Sequence, residues 1–242
     1  MNVVFMMAGS SKGFYENGFS YSKFLSDIGG KPMLEHVIDG LRDLMVESNN
    51  IIFIIRREDS EKYYLKDVIN ILVPGAHVVL IGSQVSGAAM ASLLAIDNIK
   101  KEDSLLLVNG DQVIEVDNLE VITQFKKDDV DAGVIIFESV HPRWSFVACD
   151  SNNLVVEAAE KRPISKNATA GFYYYKKVED YVDSVKKMAL KDAHVDDNFY
   201  ICPAFNEMVL SNKKIATYKI DFKKYHSLMS PGKVEQYEKY LG

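Results

Sequence analysis

Apolar and polar positions alternate in blocks along the first half of the chain. The residues from Val3 to Met7 form a continuous apolar run, and comparable runs extend over 51–55, 76–81 and 104–108. Short runs that are rich in branched side chains are typical of strands buried on both faces of a sheet. These four runs therefore predict the strands of a largely parallel sheet.

The segments between these strands carry apolar residues at the spacing of a helix. Helices are predicted over 33–45, 61–72 and 90–99. A turn at Gly29–Pro32 precedes the first helix, and a small-residue segment from Gly82 to Ala89 leads into the third. The repeated order of strand, loop and helix predicts a doubly wound α/β fold, with its site beyond the carboxyl ends of the strands.

The alternation changes in the second half of the chain. Strands are predicted over 132–138, 146–150, 154–158 and 171–175, with a hairpin turn at Asp150–Asn153. The remaining predicted elements are helices over 178–191, 205–211 and 233–241 and a strand over 215–220. We expect this small β-rich insertion to grip an acceptor substrate.

The first predicted strand ends in a loop of small residues, Ala8-Gly9-Ser10-Ser11-Lys12-Gly13. A strand that gives way to such a loop ahead of a helix leaves backbone N–H groups free to bind one anion, so the loop is a candidate phosphate site. Lys12 and Lys23 could each add a positive charge to a bound polyphosphate. The alternative is an ordinary turn, because a loose glycine pattern alone is weakly specific.

Charged residues follow two later strands. Asp111 comes directly after the apolar run at 104–108, where a carboxylate is a good ligand for Mg²⁺ that bridges phosphates. The alternative role for Asp111 is to cap the following turn. Glu160 and Lys161 lie next to a turn that Pro163 stiffens. The cation pair Lys161 and Arg162 could hold a second phosphate or could form a solvated edge.

Composition narrows the class of protein. The chain has 242 residues, of which 48% are hydrophobic, and this is enough for one large core, so we expect a single domain over 1–242. A net charge of −6 argues against nucleic acid or an anionic membrane as the main partner. The two cysteines have no metal-type spacing and are expected to be free thiols. The sequence shows no signal-like or membrane-spanning stretch. Together these observations predict a cytoplasmic protein.

Taken in order, the motifs resemble those of the sugar-phosphate nucleotidyltransferase family. The matching segments are Met7-Ala8-Gly9, Lys23, Asp27 to Met33, Gln84, Gly87-Ala88-Ala89, Asn109 to Gln112, His141 to Phe146, Glu160-Lys161, Gly171-Phe172-Tyr173, Phe199-Tyr200, Cys202-Pro203 and Ser230-Pro231. The resemblance covers essentially the whole chain. Within the family, the chain is most similar to small single-domain members of bacterial surface-polysaccharide gene clusters, some of which are cytidylyltransferases.

The resemblance implies a fold and a set of roles. The fold would be a Rossmann-like, glycosyltransferase A-type α/β/α sandwich, with a nucleotide-binding half over 1–125 and an acceptor-binding half over 126–242. Lys23 would be the catalytic lysine, assisted by Lys12, and Asp111 would bind the Mg²⁺ cofactor. The residues implied to contact the nucleotide are Ala8, Gly9, Ser10, Ser11, Gly13, Gln84, Gly87 and Ala88, and those implied to contact the acceptor are Glu160, Lys161 and Gly171.

The chain departs from the family at three places. The family's first loop has a glycine at the position of Ser11 and an arginine at that of Gly13, and this arginine neutralises triphosphate charge. Many members carry a second metal-binding aspartate at the position of Ser227. The prolines that commonly flank the catalytic lysine are Ser22 and Phe24 here. These changes leave the fold untouched but bear on metal affinity and catalytic rate.

We therefore expect transfer of a nucleoside monophosphate from a triphosphate to a small phosphorylated acceptor, with release of pyrophosphate. CTP or another pyrimidine triphosphate is favoured, and the acceptor would be a sugar 1-phosphate or an unusual phosphate such as an amino-acid phosphate, for surface-polysaccharide synthesis. A first alternative is a catalytically weak nucleotide-binding relative with a regulatory or assembly role. A second, a glycosyltransferase, is less favoured because Asn109-Gly110-Asp111 offers one carboxylate. Whether the protein forms a homo-oligomer is left open.

Overall fold

A computed structural model describes residues 1–82 and 84–242, so that Ser83 of the small-residue segment lies outside the described residues. The strands are β1 (Asn2–Met7), β2 (Asp27–Ile28), β3 (Lys31–Pro32), β4 (Asn50–Arg56), β5 (His77–Ile81), β6 (Leu105–Asn109), β7 (Gln112–Ile114), β8 (Ala132–Glu138), β9 (Ser145–Cys149), β10 (Val155–Glu160), β11 (Asn167–Tyr175), β12 (Ile215–Lys219) and β13 (Tyr225–Ser227). The helices are α1 (Lys12–Tyr15), α2 (Met33–Asp39), α3 (Arg42–Val46), α4 (Arg57–Tyr63), α5 (Leu65–Leu72), α6 (Ala88–Leu93), α7 (Asn118–Lys127), α8 (Val178–Leu190), α9 (Phe205–Leu210) and α10 (Pro231–Leu241).

One nine-stranded sheet organises the molecule. Strands β5, β4, β1 and β6 lie side by side and run parallel, as the apolar runs predict. Strand β11 then pairs antiparallel with β6, and β8 pairs with both β11 and β12. The mixed α/β architecture with a mostly parallel centre confirms the predicted fold class.

Two hydrophobic clusters cover the two faces of this sheet. Along β1, Val3, Phe5 and Met7 belong to one cluster, and Val4 and Met6 belong to the other. Successive side chains of a strand alternate between the faces, so a continuous apolar run fills both clusters. Every residue of β1 is buried, which places its carboxyl end rigidly at the centre of the fold.

Several predicted boundaries are wrong for local reasons. The helix predicted over 33–45 is two helices, because Leu41 has a non-helical backbone (φ −123°) between α2 and α3. Tyr64 adopts a left-handed conformation (φ 55°) and separates α4 from α5 within the segment predicted as one helix over 61–72. The helix predicted over 90–99 is α6, which begins at Ala88 and ends at Leu93.

Sequence patterns missed several features of the fold, among them the short elements α1, β2, β3, β7 and β13. Helix α7 has its N-terminus capped by Asp117, whose carboxylate accepts a hydrogen bond from the Glu120 amide at 2.9 Å. An aspartate followed three residues later by glutamate is a capping signal that could have identified this helix. The expected β-rich insertion also contributes β8, β9, β10 and β11 to the central sheet itself.

None of the helices in the described part of the chain combines the length and apolar character that crossing a bilayer requires.

Candidate active site

The loops that follow β1 and β6 meet because these strands are parallel neighbours. Met6 of β1 is in register with Asn109 of β6, so that the chain after each strand leaves the sheet at the same edge. A methyl group added at Gly9 would lie 3.0 Å from the Lys23 Nζ and 3.9 Å from the Asp111 Oδ2. The small-residue loop, Lys23 and Asp111 therefore form one cluster, as the strand order predicts.

An ion pair lies at the centre of this cluster. The Lys23 Nζ is 2.6 Å from the Asp111 Oδ2, and the two side chains are only 4% and 17% exposed. A buried ammonium is costly unless a carboxylate compensates it, so Asp111 fixes the position of Lys23 in the absence of substrate. In the described part of the chain, the Asp111 Oδ1 has no hydrogen-bond partner and remains available to a ligand.

Ser11 connects the loop to Lys23, the predicted catalytic lysine. Its side chain is fully buried, and its hydroxyl oxygen accepts a hydrogen bond from the Lys23 backbone amide at 3.0 Å. The hydroxyl at this position therefore holds the Lys23 segment against the loop. The nucleotide contact implied for Ser11 is left to its backbone amide.

The loop retains free hydrogen-bond donors. Within the described residues, the backbone amides of Gly9, Ser10, Ser11 and Gly13 donate to no other group. Such a set of adjacent amides can bind one anion. Lys12 is 81% exposed on its side chain and lies 3.7 Å from Glu16, so it is paired with a carboxylate rather than with the centre of the cluster.

Ser227 lies beside Asp111, at the place of the family's second aspartate. Strand β13 pairs with β7 so that Ser227 is opposite Gln112, and the Leu228 amide donates to the Asp111 carbonyl oxygen at 2.8 Å. This position carries a hydroxyl in place of a carboxylate. Among the described residues, no group of three or more histidine, cysteine or acidic side chains could enclose a metal ion.

Gly171 is held by the residue that follows Asp111. The Gln112 side-chain amide donates to the carbonyl oxygens of Ala170 and of Gly171, the latter at 3.1 Å. Gly171 has φ 61°, and a Cβ at this position would lie 2.7 Å from the Gln112 Oε1 and would also overlap the Asn109 amide. Only glycine fits this backbone, and the sequence patterns gave no sign that Gln112 supports it.

Glu160 and Lys161 have different surroundings although they are adjacent. Glu160 is buried, accepts a hydrogen bond from the Ser145 hydroxyl, and has a pKa raised by burial. The Lys161 Nζ lies 2.7 Å from the Asp196 Oδ2 and 5.3 Å from the Tyr200 ring centroid. The hydrogen bond to Asp196 and, to a smaller extent, the one to Tyr200 raise the pKa of Lys161, so its side chain is a firmly protonated cation.

The segment from Asp196 to Tyr200 also contacts the predicted nucleotide-binding residues. The Phe199 amide donates to the Ser86 carbonyl, and the Ala89 amide donates to the Phe199 carbonyl, both at 3.0 Å. Gly87 has φ 91°, and a Cβ there would lie 2.5 Å from the Phe199 carbonyl oxygen. Gln84 is exposed, and Ala88 begins α6. One segment thus links the Gly87 region to Lys161.

Comparisons with known proteins were made for the chain as a whole. A sequence profile described as nucleotidyl transferase matches residues 3–218. A bifunctional protein GlmU of Methanocaldococcus jannaschii is 28% identical over 193 residues, which are 77% of this chain and 43% of that protein, so the chain spans less than half of this curated relative.

Solved structures share the fold. A nucleoside-diphosphate-sugar pyrophosphorylase from Vibrio cholerae superposes with a TM-score of 0.85 at 19% identity, over 98% of this chain and 99% of that one. A UDP-glucose pyrophosphorylase complexed with UDP-glucose gives a TM-score of 0.78 at 14% identity, over 99% and 97% of the two chains.

Proposed function

This chain belongs to the nucleotidyl transferase family, and we propose that it transfers a nucleoside monophosphate from a triphosphate to a small phosphorylated acceptor. An oxygen of the acceptor phosphate forms a bond to the α-phosphorus, the bond between the α-phosphorus and the bridging oxygen breaks, and pyrophosphate leaves. CTP or another pyrimidine triphosphate is the favoured donor. The product would serve as a precursor of a surface polysaccharide.

The observation that carries this proposal is the buried pair of Lys23 and Asp111 under Gly9. A triphosphate that binds the free amides of the loop would bring its phosphates next to the Lys23 ammonium, which is already oriented. Phosphoryl and nucleotidyl transfer need little covalent help from a protein, because positioning and charge neutralisation lower the barrier. A preorganised, nearly unexposed cation is suited to stabilise charge that develops on the α-phosphate.

The residues present fit Mg²⁺ in the mode that uses few protein ligands. Mg²⁺ is commonly held by one or two carboxylates together with substrate phosphates and water. Asp111 offers Oδ1 for this purpose, and Ser227 beside it offers a hydroxyl. When bound, the ion would neutralise negative charge on the triphosphate.

The acceptor would bind on the side of β10 and β11. Lys161 would hold the acceptor phosphate after exchanging its contact with Asp196, and Glu160 would accept hydrogen bonds from acceptor hydroxyl groups. Gly171 would contact the acceptor through its backbone, because the Asn109 amide and the Gln112 Oε1 already occupy the space that a Cβ would take. A phosphate dianion is already nucleophilic near neutral pH, so no general base is required.

The test is an activity screen with pyrophosphate detection. The protein is incubated with each nucleoside triphosphate, Mg²⁺ and a panel of phosphorylated acceptors, alongside Lys23→Met and a matched control, Lys66→Met, which changes an exposed lysine on α5. We expect one pair of substrates to release pyrophosphate, Lys23→Met to lose at least about a hundredfold in rate, and Lys66→Met to keep the rate. Silence in every combination would refute the proposed activity.

A catalytically weak, nucleotide-binding relative is the second candidate. Gly13 and Ser227 support it, because each lacks the charged group that the family carries at that position. Saturable binding of a triphosphate without pyrophosphate release in the same screen would favour this candidate over the enzyme.

A further inference from the structure

A cavity lined by basic side chains lies next to the predicted acceptor site. Its volume is about 240 Å³. Arg143, Lys223 and Lys233 contribute to its wall, together with Trp144, Tyr225 and Ser227. No aspartate or glutamate is among the described residues that line it.

Among the described residues, the three cations of this wall lack a carboxylate partner. In the described part of the chain, no carboxylate oxygen lies within 4.0 Å of Arg143, Lys223 or Lys233. The chain as a whole is acidic, with a net charge of −6. Cations that converge on one cavity repel each other unless an anion neutralises them, and Arg143 can bind a phosphate or carboxylate with two hydrogen bonds.

Packing holds Arg143 at the cavity wall. Its guanidinium carbon lies 4.4 Å from the centroid of the Trp144 ring, at a distance typical of cation–π contact. Trp144 in turn packs edge-on against Tyr225 and Phe137. The guanidinium is therefore partly preorganised, which reduces the entropy lost when it binds an anion.

Two residues of the cavity wall are hydrogen-bonded to residues of the predicted site. The Trp144 carbonyl accepts a hydrogen bond from the Lys161 amide at 3.0 Å, so the residue beside Arg143 contacts the proposed acceptor-phosphate lysine. The Tyr225 hydroxyl donates to the Gln112 Oε1 at 3.2 Å, and Gln112 supports Gly171. The wall residues Trp144 and Tyr225 are thus hydrogen-bonded to Lys161, which would hold the acceptor phosphate, and to Gln112, which supports Gly171.

We propose that this cavity binds a second anionic group of the acceptor, a phosphate or a carboxylate, in addition to the phosphate that is attacked. The inference rests on the proposed nucleotidyl transfer for the identity of the ligand. Arg143, Lys223 and Lys233 select acceptors with two anionic groups over acceptors with one. Only the second anionic group of an acceptor can neutralise these cations, because the first group is the phosphate that is attacked.

A binding experiment tests the cavity without any turnover. Trp144 is the single tryptophan of the chain, so its fluorescence reports on the residue next to Arg143. Inorganic pyrophosphate is titrated into the wild type, into Lys223→Gln/Lys233→Gln, and into the control Lys66→Gln/Lys127→Gln, which removes two exposed charges elsewhere. We expect a saturable change in emission whose midpoint rises at least tenfold in the first variant and stays within twofold in the control. An unchanged midpoint in both variants, or no saturable signal, would overturn the proposal.

A kinetic experiment tests the identity of the ligand. With the substrates found in the activity screen, the same variant should raise the KM for the acceptor at least tenfold without a matching rise in the KM for the triphosphate, and Arg143→Gln should do likewise. Equal effects on both KM values, or none on the acceptor, would overturn the acceptor assignment. If the screen finds no turnover, the proposed function fails while the fluorescence titration still decides whether the cavity binds an anion.

Discussion

Restoring an arginine at position 13 should strengthen triphosphate binding. The family carries arginine where this chain has Gly13 in its first loop. A Cβ at Gly13 would meet no atom within 4 Å, and the backbone there is not in the left-handed region. Gly13→Arg therefore introduces a Cβ without a clash or backbone strain.

The size of the effect follows from the surroundings of the loop. The one cation now in the loop, Lys12, is largely exposed and paired with Glu16. An arginine that makes a charge-assisted contact with a phosphate contributes about 1.5–3 kcal/mol, which corresponds to a rise of roughly 10-fold to 150-fold in kcat/KM for the triphosphate. Replacing a helical glycine also favours α1 by up to about 1 kcal/mol, so the variant should be at least as stable as the wild type.

The assay is steady-state pyrophosphate release at varied triphosphate and saturating acceptor. Gly13→Gln serves as the matched control, because it adds a long polar side chain without a charge. We expect a higher kcat/KM for Gly13→Arg only, with the effect weakening as the salt concentration rises, because charge pairing at an exposed loop is screened. A stable Gly13→Arg protein with unchanged kcat/KM would refute the reasoning that missing charge at position 13 limits this enzyme.

Three further predictions concern the ion pair, the acceptor side and pH. Asp111→Asn leaves the nearly unexposed Lys23 ammonium without its partner and should lower the free energy of unfolding, measured in urea, by about 3 kcal/mol. Adding Lys23→Met to this variant should recover part of the loss. Additive losses of stability in the double variant would contradict a coupled pair. Gly171→Ala combines a left-handed backbone with overlap against Gln112 and should cost about 2 kcal/mol or more in thermal unfolding, while Gly232→Ala, where a Cβ meets nothing, should cost little or stabilise. Burial raises the pKa of Glu160 above the ordinary value of 4.5, so the folded protein binds this proton more tightly than the unfolded chain does. The stability of the wild type relative to Glu160→Gln should therefore fall as the pH rises through and above that value. A stability difference that does not change with pH would rule out this titration.

The sequence patterns predicted the parallel half of the sheet and the convergence of its loops. Buried strands read as unbroken apolar runs, and this signal is strong because such strands face two cores. Once β1 and β6 are neighbours, the loop at Ala8–Gly13 and Asp111 must leave the same edge. The position of Lys23, whose Nζ lies 2.6 Å from the Asp111 Oδ2, depends in addition on the local path of the chain.

The supports of the site could not be predicted in this way. Gln112 contacts the backbone of β11, which lies 58 residues further along the chain, and Phe199 packs its backbone against Gly87. Contacts between a side chain and a distant backbone leave no periodic trace, because they depend on the register of strands and on loop paths rather than on local propensity. The break at Tyr64 likewise reflects one residue's conformation and not the apolar pattern around it.

The charged residues around the predicted site are distributed differently from the pattern that the family shows. The loop that is predicted to bind the triphosphate has Gly13 where the family has an arginine, and Ser227 stands where many relatives have a second carboxylate, so the predicted nucleotide site lacks one cation and one anion. Arg143, Lys223 and Lys233, which have no carboxylate partner among the described residues, line a cavity to which Trp144 and Ser227 also contribute. Because binding energy from parts of a substrate that do not react can position the reacting groups, an acceptor held by two anionic groups would offset weaker contacts to the triphosphate. On the proposed function, the altered loop and the basic cavity would be two parts of one adaptation, in which the acceptor supplies more of the positioning than the nucleotide does.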